Sequence, residues 1–132
     1  MTRWRTVPWT TTLAILAACG GDGPPEPPPI TGGPVRLVLQ ASQPDVGAII
    51  VRIVGPVDSV TVATGLVLSS TDLGSTASKI VVAGNIAAGN LATLWVPDLS
   101  VLNIYSVFVE QVSSRINFAL YDPASFSVNL VK

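Results

Sequence analysis

The side chains that could do chemistry are few and scattered. Asp45, Asp58, Asp72, Asp98 and Asp122 fall near expected loops, and Glu110 falls on an expected strand. Two carboxylates meeting in space would suit glycoside hydrolysis or calcium binding. No D-x-D-x-D spacing or local cluster supports either. Aspartate before or within a turn, as in Pro97-Asp98 and Asp122-Pro123, is what turn chemistry uses anyway. Serine and threonine are plentiful, but G-x-S-x-G and S-x-x-K are missing. Lys79 adjoins Ser78 without a base-to-nucleophile spacing. There is no histidine, which removes the commonest general base and metal ligand together with the Ser-His-Asp triad. A single cysteine allows neither an internal disulfide nor a CxxC metal site. The glycines of 84–89 fall in an expected hairpin rather than before a helix, so they form no phosphate loop. The expectation is a protein that is not an enzyme and needs no metal or cofactor.

The one residue in a chemically specific setting is Cys19. Arg3 and Arg5 form a basic start, residues 7–18 form a short apolar run diluted by Thr10, Thr11 and Thr12, and small residues precede the cysteine. This order reads as an export signal. A run of about a dozen apolar residues is too short for a spanning helix, which needs roughly 20. Leu16-Ala17-Ala18-Cys19 resembles a bacterial lipobox: an aliphatic residue, a small residue, Gly or Ala, then Cys. The resemblance implies a diacylglyceryl thioether on Cys19 and cleavage between Ala18 and Cys19. The membrane would then be the protein's first partner. Two or three acyl chains anchor a protein firmly, whereas one holds it only marginally. Gly20, rather than Asp, would follow the lipidated residue, which favours the outer membrane in a host that has one.

Residues 20–34 read as a tether. Six prolines deny helix and ladder hydrogen bonds, and five glycines loosen the ends. At roughly 3 Å per residue, the segment could hold a domain up to about 45 Å from the lipid. A polyproline ligand is the alternative use of such a stretch.

The elements that would position any site lie in residues 35–132. The chain is 48% hydrophobic and only 11% charged, against roughly 25% charged in an average domain. That argues for a folded core and a sparsely charged surface. The net charge is −1 and the basic residues of the domain stand singly, so nucleic acid is not an expected partner. Short β-branched runs alternate with turn residues. They place strands at 35–40, 47–54, 59–63, 66–69, 79–83, 91–96, 105–112, 116–120 and 126–131. One helical turn is expected at 98–103, capped by Asp98. This spacing predicts an all-β fold, a single small β-sandwich of Ig-like or cohesin-like type, after a signal peptide (1–18) and the lipidated tether (19–34).

Period-two alternation predicts the core. It consists of Val35, Leu37, Leu39, Ile49, Val51, Ile53, Val60, Val62, Ile80, Val82, Ala92, Leu94 and Val96. Tyr105, Val107, Val109, Ile116, Phe118, Leu120, Phe126, Val128 and Leu130 complete it. The run 47–54 is apolar on both faces except for Arg52, so it is expected at the sheet centre. Arg52 there would need a nearby Asp, an anion or an opening to solvent.

By the same alternation Trp95 faces outward, where it could stack on a sugar or fill a partner's pocket. Tyr121, beside a turn, is the other candidate contact. Phe118-Ala119-Leu120-Tyr121-Asp122-Pro123 resembles the strand and Tyr-Asp-Pro turn of cohesin-type sandwiches, which implies a sandwich and no binding residues. The functional expectation is a lipid-anchored cell-envelope protein with a non-catalytic binding or structural domain. Its alternatives are a carbohydrate-binding module using Trp95 and Tyr121, and an accessory subunit of an envelope assembly. The protein or glycan partner is not readable from the sequence.

Overall fold

A computed structural model describes Gly21 and residues 23–132. The cleavage and lipidation positions Ala18 and Cys19 lie outside the described residues. Residues 23–32 form no helix and, apart from Gly32 itself, are exposed until the first strand begins at Gly33.

The described residues hold nine strands: β1 (Gly33–Ala41), β2 (Val46–Val54), β3 (Ser59–Val62), β4 (Val67–Thr71), β5 (Ala77–Ile86), β6 (Gly89–Val96), β7 (Ser106–Ser114), β8 (Leu120–Tyr121) and β9 (Phe126–Val131). Two 3₁₀ turns, Leu99–Ile104 and Pro123–Ser125, interrupt them. Asp98 caps the first turn, its carboxylate accepting from Ser100 N at 2.9 Å, and Asp122 caps the second in the same way through Ala124 N. Both aspartates thus do the capping work their sequence setting implies.

All strand pairs are antiparallel and fall into two sheets. One has the order β3-β6-β1-β9 and the other β4-β5-β2-β7-β8. The fold is therefore an all-β sandwich. β2 lies at the centre of the five-stranded sheet, as its two-faced apolar run requires. The expected hairpin around 84–89 is not one. β5 and β6 belong to different sheets, and Ala87-Ala88 carries the chain across the sandwich.

The core lies between the sheets. Val35, Leu37 and Leu39 of β1 face Ile49, Val51 and Ile53 of β2, all buried. Alternation accounts for these, but three features break it. Leu91 is an extra residue between the pairs Leu37 to Ala92 and Val38 to Asn90, so Leu91 and Ala92 both turn inward. Glu110 is an extra residue between the pairs Ile50 to Gln111 and Val51 to Val109, which resets the alternation and buries Val112. Val46, Val57 and Ile86 are also buried, beyond the expected set.

The third feature is a correction. Residues 116–120 do not form a strand. Only Leu120 and Tyr121 pair with β7, and Ile116, Phe118 and Leu120 are 76%, 80% and 65% exposed rather than buried. Val60, Val62, Val107, Val109 and Leu130 line the core only in part, because their strands lie at or near sheet edges.

Candidate functional site

Most polar side chains with a structural partner have a structural use. Asp45, in the loop between β1 and β2, ties that loop to the β7–β8 hairpin. Its Oδ2 accepts from Ser114 Oγ at 2.7 Å, and its Oδ1 accepts from the Tyr121 hydroxyl. Ser114 Oγ in turn accepts from Ile116 N at 3.1 Å, and Arg115 N donates to the Asp45 carbonyl. Tyr121, expected as a ligand contact, is thus engaged in this knot and packs against Phe126 at 5.8 Å between ring centroids.

The hydroxyls of Tyr121 and Ser114 hold the Asp45 carboxyl below its usual range. The same bond pushes the Tyr121 phenol above its usual range. The knot's stabilisation is therefore complete at neutral pH. It is lost in acid, as pH falls below the ordinary carboxylate range through the lowered native value. In alkali it is lost as pH rises through the raised phenol value. Denaturant midpoints measured from neutral to strongly acidic pH should show Asp45→Asn with a shallower acid decline than the parent. Parallel declines in the two proteins would rule the knot out as the source.

Arg52 needs no buried partner. It is exposed on the outer face of β2, with its guanidinium 5.7 Å from the centroid of the cross-strand Phe108 ring. Among the described residues no aspartate forms an ion pair with it. Lys79 and Glu110 pair at 2.7 Å on the same face. Among the described residues no three His, Cys, Asp or Glu side chains gather as a metal group would require.

Two surfaces remain without an internal role. On the outer face of the four-stranded sheet, Trp95 is 47% exposed. Ser59 and Pro34 flank it across the strands, and the next row holds Thr61, Thr93, Arg36 and Val131. The chain before β1 passes the indole edge closely. A Cβ at Gly32 would lie 2.9 Å from Val96 O and 3.4 Å from Trp95 Nε1. Trp95 and Tyr121 stand on different sheets, so they do not form one aromatic platform.

The second surface is on the outer face of the five-stranded sheet. One cross-strand row runs Val67, Ala83, Ala48, Ser113, Leu120. The small residues in its middle leave a trough of about 340 Å³, lined also by Gly47, Gly84, Arg115 and Phe118. The hairpin backbone sits so close that a Cβ at Gly47 would lie 2.6 Å from Arg115 Cα. Phe118 stands at the rim with φ +58°, a left-handed conformation costing a bulky L-residue about 1–2 kcal/mol. Sequence alternation hid this surface by sending Ile116, Phe118 and Leu120 into the core. The Ser113-Ser114-Arg115-Ile116-Asn117 polar interruption was the available signal that a turn begins there.

Comparison with protein families, with curated proteins and with solved structures finds no match for this chain.

Proposed function

We propose that the protein is a lipid-anchored cell-envelope protein whose β-sandwich serves as a non-catalytic binding or structural domain. The observation that carries this reading is Leu16-Ala17-Ala18-Cys19, preceded by a basic start and an apolar run and followed by a Pro/Gly-rich stretch. The sandwich supports it. It begins at Gly33, two residues inside the expected tether, and four of its six Asp and Glu side chains are engaged: Asp98 and Asp122 in caps, Asp45 in a loop knot and Glu110 in a surface ion pair.

Mass spectrometry of the mature N-terminus is the test. The terminal peptide should begin at Cys19 and carry a diacylglyceryl mass, and Cys19→Ala should abolish both the modification and that cleavage. A mature protein with an unmodified Cys19, or one cut elsewhere, defeats the anchor. Turnover of a panel of glycosides or esters by the folded protein defeats the non-catalytic part.

The exposure of Trp95 favours one second reading, a carbohydrate-binding module. The indole is accessible beside Arg36, Thr93 and Thr61, which are hydrogen-bonding side chains suited to sugar hydroxyls. Tyr121 has no part in it. Retention on immobilised glycans that Trp95→Ala leaves unchanged would remove this reading.

A further inference from the structure

We propose that the β7–β8 hairpin and the trough beside it form a membrane-contact surface that seats the domain on a phospholipid bilayer. This rests on the anchor reading for its reach and adds a second lipid contact to it.

Three observations converge on the hairpin. Ile116, Phe118 and Leu120 put three large apolar side chains into solvent within five positions, a concentration the sandwich itself does not need. Phe118 is held in the left-handed region with its ring at the rim of an apolar trough floored by Gly47, Ala48, Ala83 and Gly84. An observed backbone outlier at an exposed aromatic points to a use outside the fold. Arg115 is the only charge in the connection 115–119 between β7 and β8, it is exposed, and although Asp45 lies near enough to feel its charge, among the described residues no carboxylate forms an ion pair with it. A guanidinium beside exposed apolar side chains complements a lipid phosphate above acyl chains.

The anchor reading supplies a bilayer as the occupant, and the tether is long enough for the hairpin to meet it. Gly33 pairs with Val96, while Ala41 pairs with Phe126 and Val46 with Ser114, so the hairpin and the tether leave opposite ends of the sandwich. β1, at roughly 3.3 Å per residue, separates them by about 30 Å. A tether reaching up to about 45 Å lets the domain turn its hairpin end down to the surface in which Cys19 would be fixed. Trp95, on the opposite sheet, would then face away from the lipid and toward any ligand.

The test uses the full chain, exported by a bacterial host, recovered from whichever fraction holds it and reconstituted with vesicles. The vesicles contain phosphatidylcholine and phosphatidylglycerol with bromine at defined acyl depths. Phe118→Trp supplies the probe, and Ile116→Trp is a second should the first not fold. Each is read against the unsubstituted protein, whose background is Trp95 alone once the signal is cut before Cys19, and Trp4 and Trp9 as well where it is retained. The introduced tryptophan should shift to the blue. It should be quenched most by shallow bromines, about 5–10 Å below the headgroups. Arg115→Gln in the same background should weaken quenching more in phosphatidylglycerol-rich vesicles than in pure phosphatidylcholine. No quenching at either position overturns the proposal, and a blue shift without quenching overturns it in favour of a protein partner or second copy. The N-terminal peptide mass from the same sample separates the two readings. A lipidated Cys19 with an unquenched hairpin defeats only the membrane contact. An unmodified Cys19 with a quenched hairpin defeats only the anchor.

Discussion

Gly55→Ala is expected to lower stability by about 2–6 kcal/mol, the sum of backbone strain and overpacking. Gly55 ends β2's run at φ +127°, a conformation that side chains of L-residues rarely adopt. A Cβ there would also lie 2.6 Å from Tyr105 Cε1 and 2.9 Å from its Cγ. The ring cannot easily yield. Its hydroxyl donates to the Pro56 carbonyl, and the residue is buried at the mouth of the core. Burial, helped by Asp58 and Asp98, pushes the Tyr105 phenol above its usual range, so the hydroxyl stays protonated and able to donate. Chemical denaturation checks the loss. A midpoint within about 0.5 kcal/mol of the parent would show that the corner can relax and that Gly55 is not required there.

Ile49→Ala is expected to cost about 2–5 kcal/mol and Ile49→Val about 0.5–1.5 kcal/mol. Ile49 is fully buried in β2, between Val82 of β5 and Val112 of β7, and looks into the space between the sheets. Removing its branches opens a cavity that two hydrogen-bonded neighbours cannot close. Against a total of about 5–15 kcal/mol, the alanine variant would stand close to unfolding. The neighbouring Ile50 points to the other face and is only half buried. Ile50→Ala is therefore the control. Thermal melts of the two variants that shift by the same amount would show that the sheets do not enclose β2 as described.

The same contrast shows how much of the fold was legible in the chain. Alternation within β1, β2 and β6 is local. In β1 and in the second half of β6 the core-facing positions are uniformly apolar while the other face carries polar residues, and a strand can bury only one face against a second layer, so Val35, Leu37, Leu39 and Leu94 were readable as core. The Asp98 cap was readable for the same reason, since its partner Ser100 is two residues away. The surfaces were not legible, because they depend on distant pairing. Trp95 was readable as outward-facing, but its separation from Tyr121 follows from sheet membership. The hairpin surface was misread because Ile116, Phe118 and Leu120 carry a perfect period-two pattern while residues 115–119 turn and only Leu120 of the three pairs with β7.

The sequence by itself determined the class of the fold. Short β-branched runs separated by turn residues admit little but a two-layer β domain. The anchor proposed at Cys19 rests on a linear motif alone, which needs no fold. The tertiary structure alone decided which strands share a sheet, where the bulges at Leu91 and Glu110 reset the faces, and which apolar side chains were left in solvent. Those outcomes depend on contacts between residues far apart in the chain, and the energy of such contacts is not written in the local pattern of either partner.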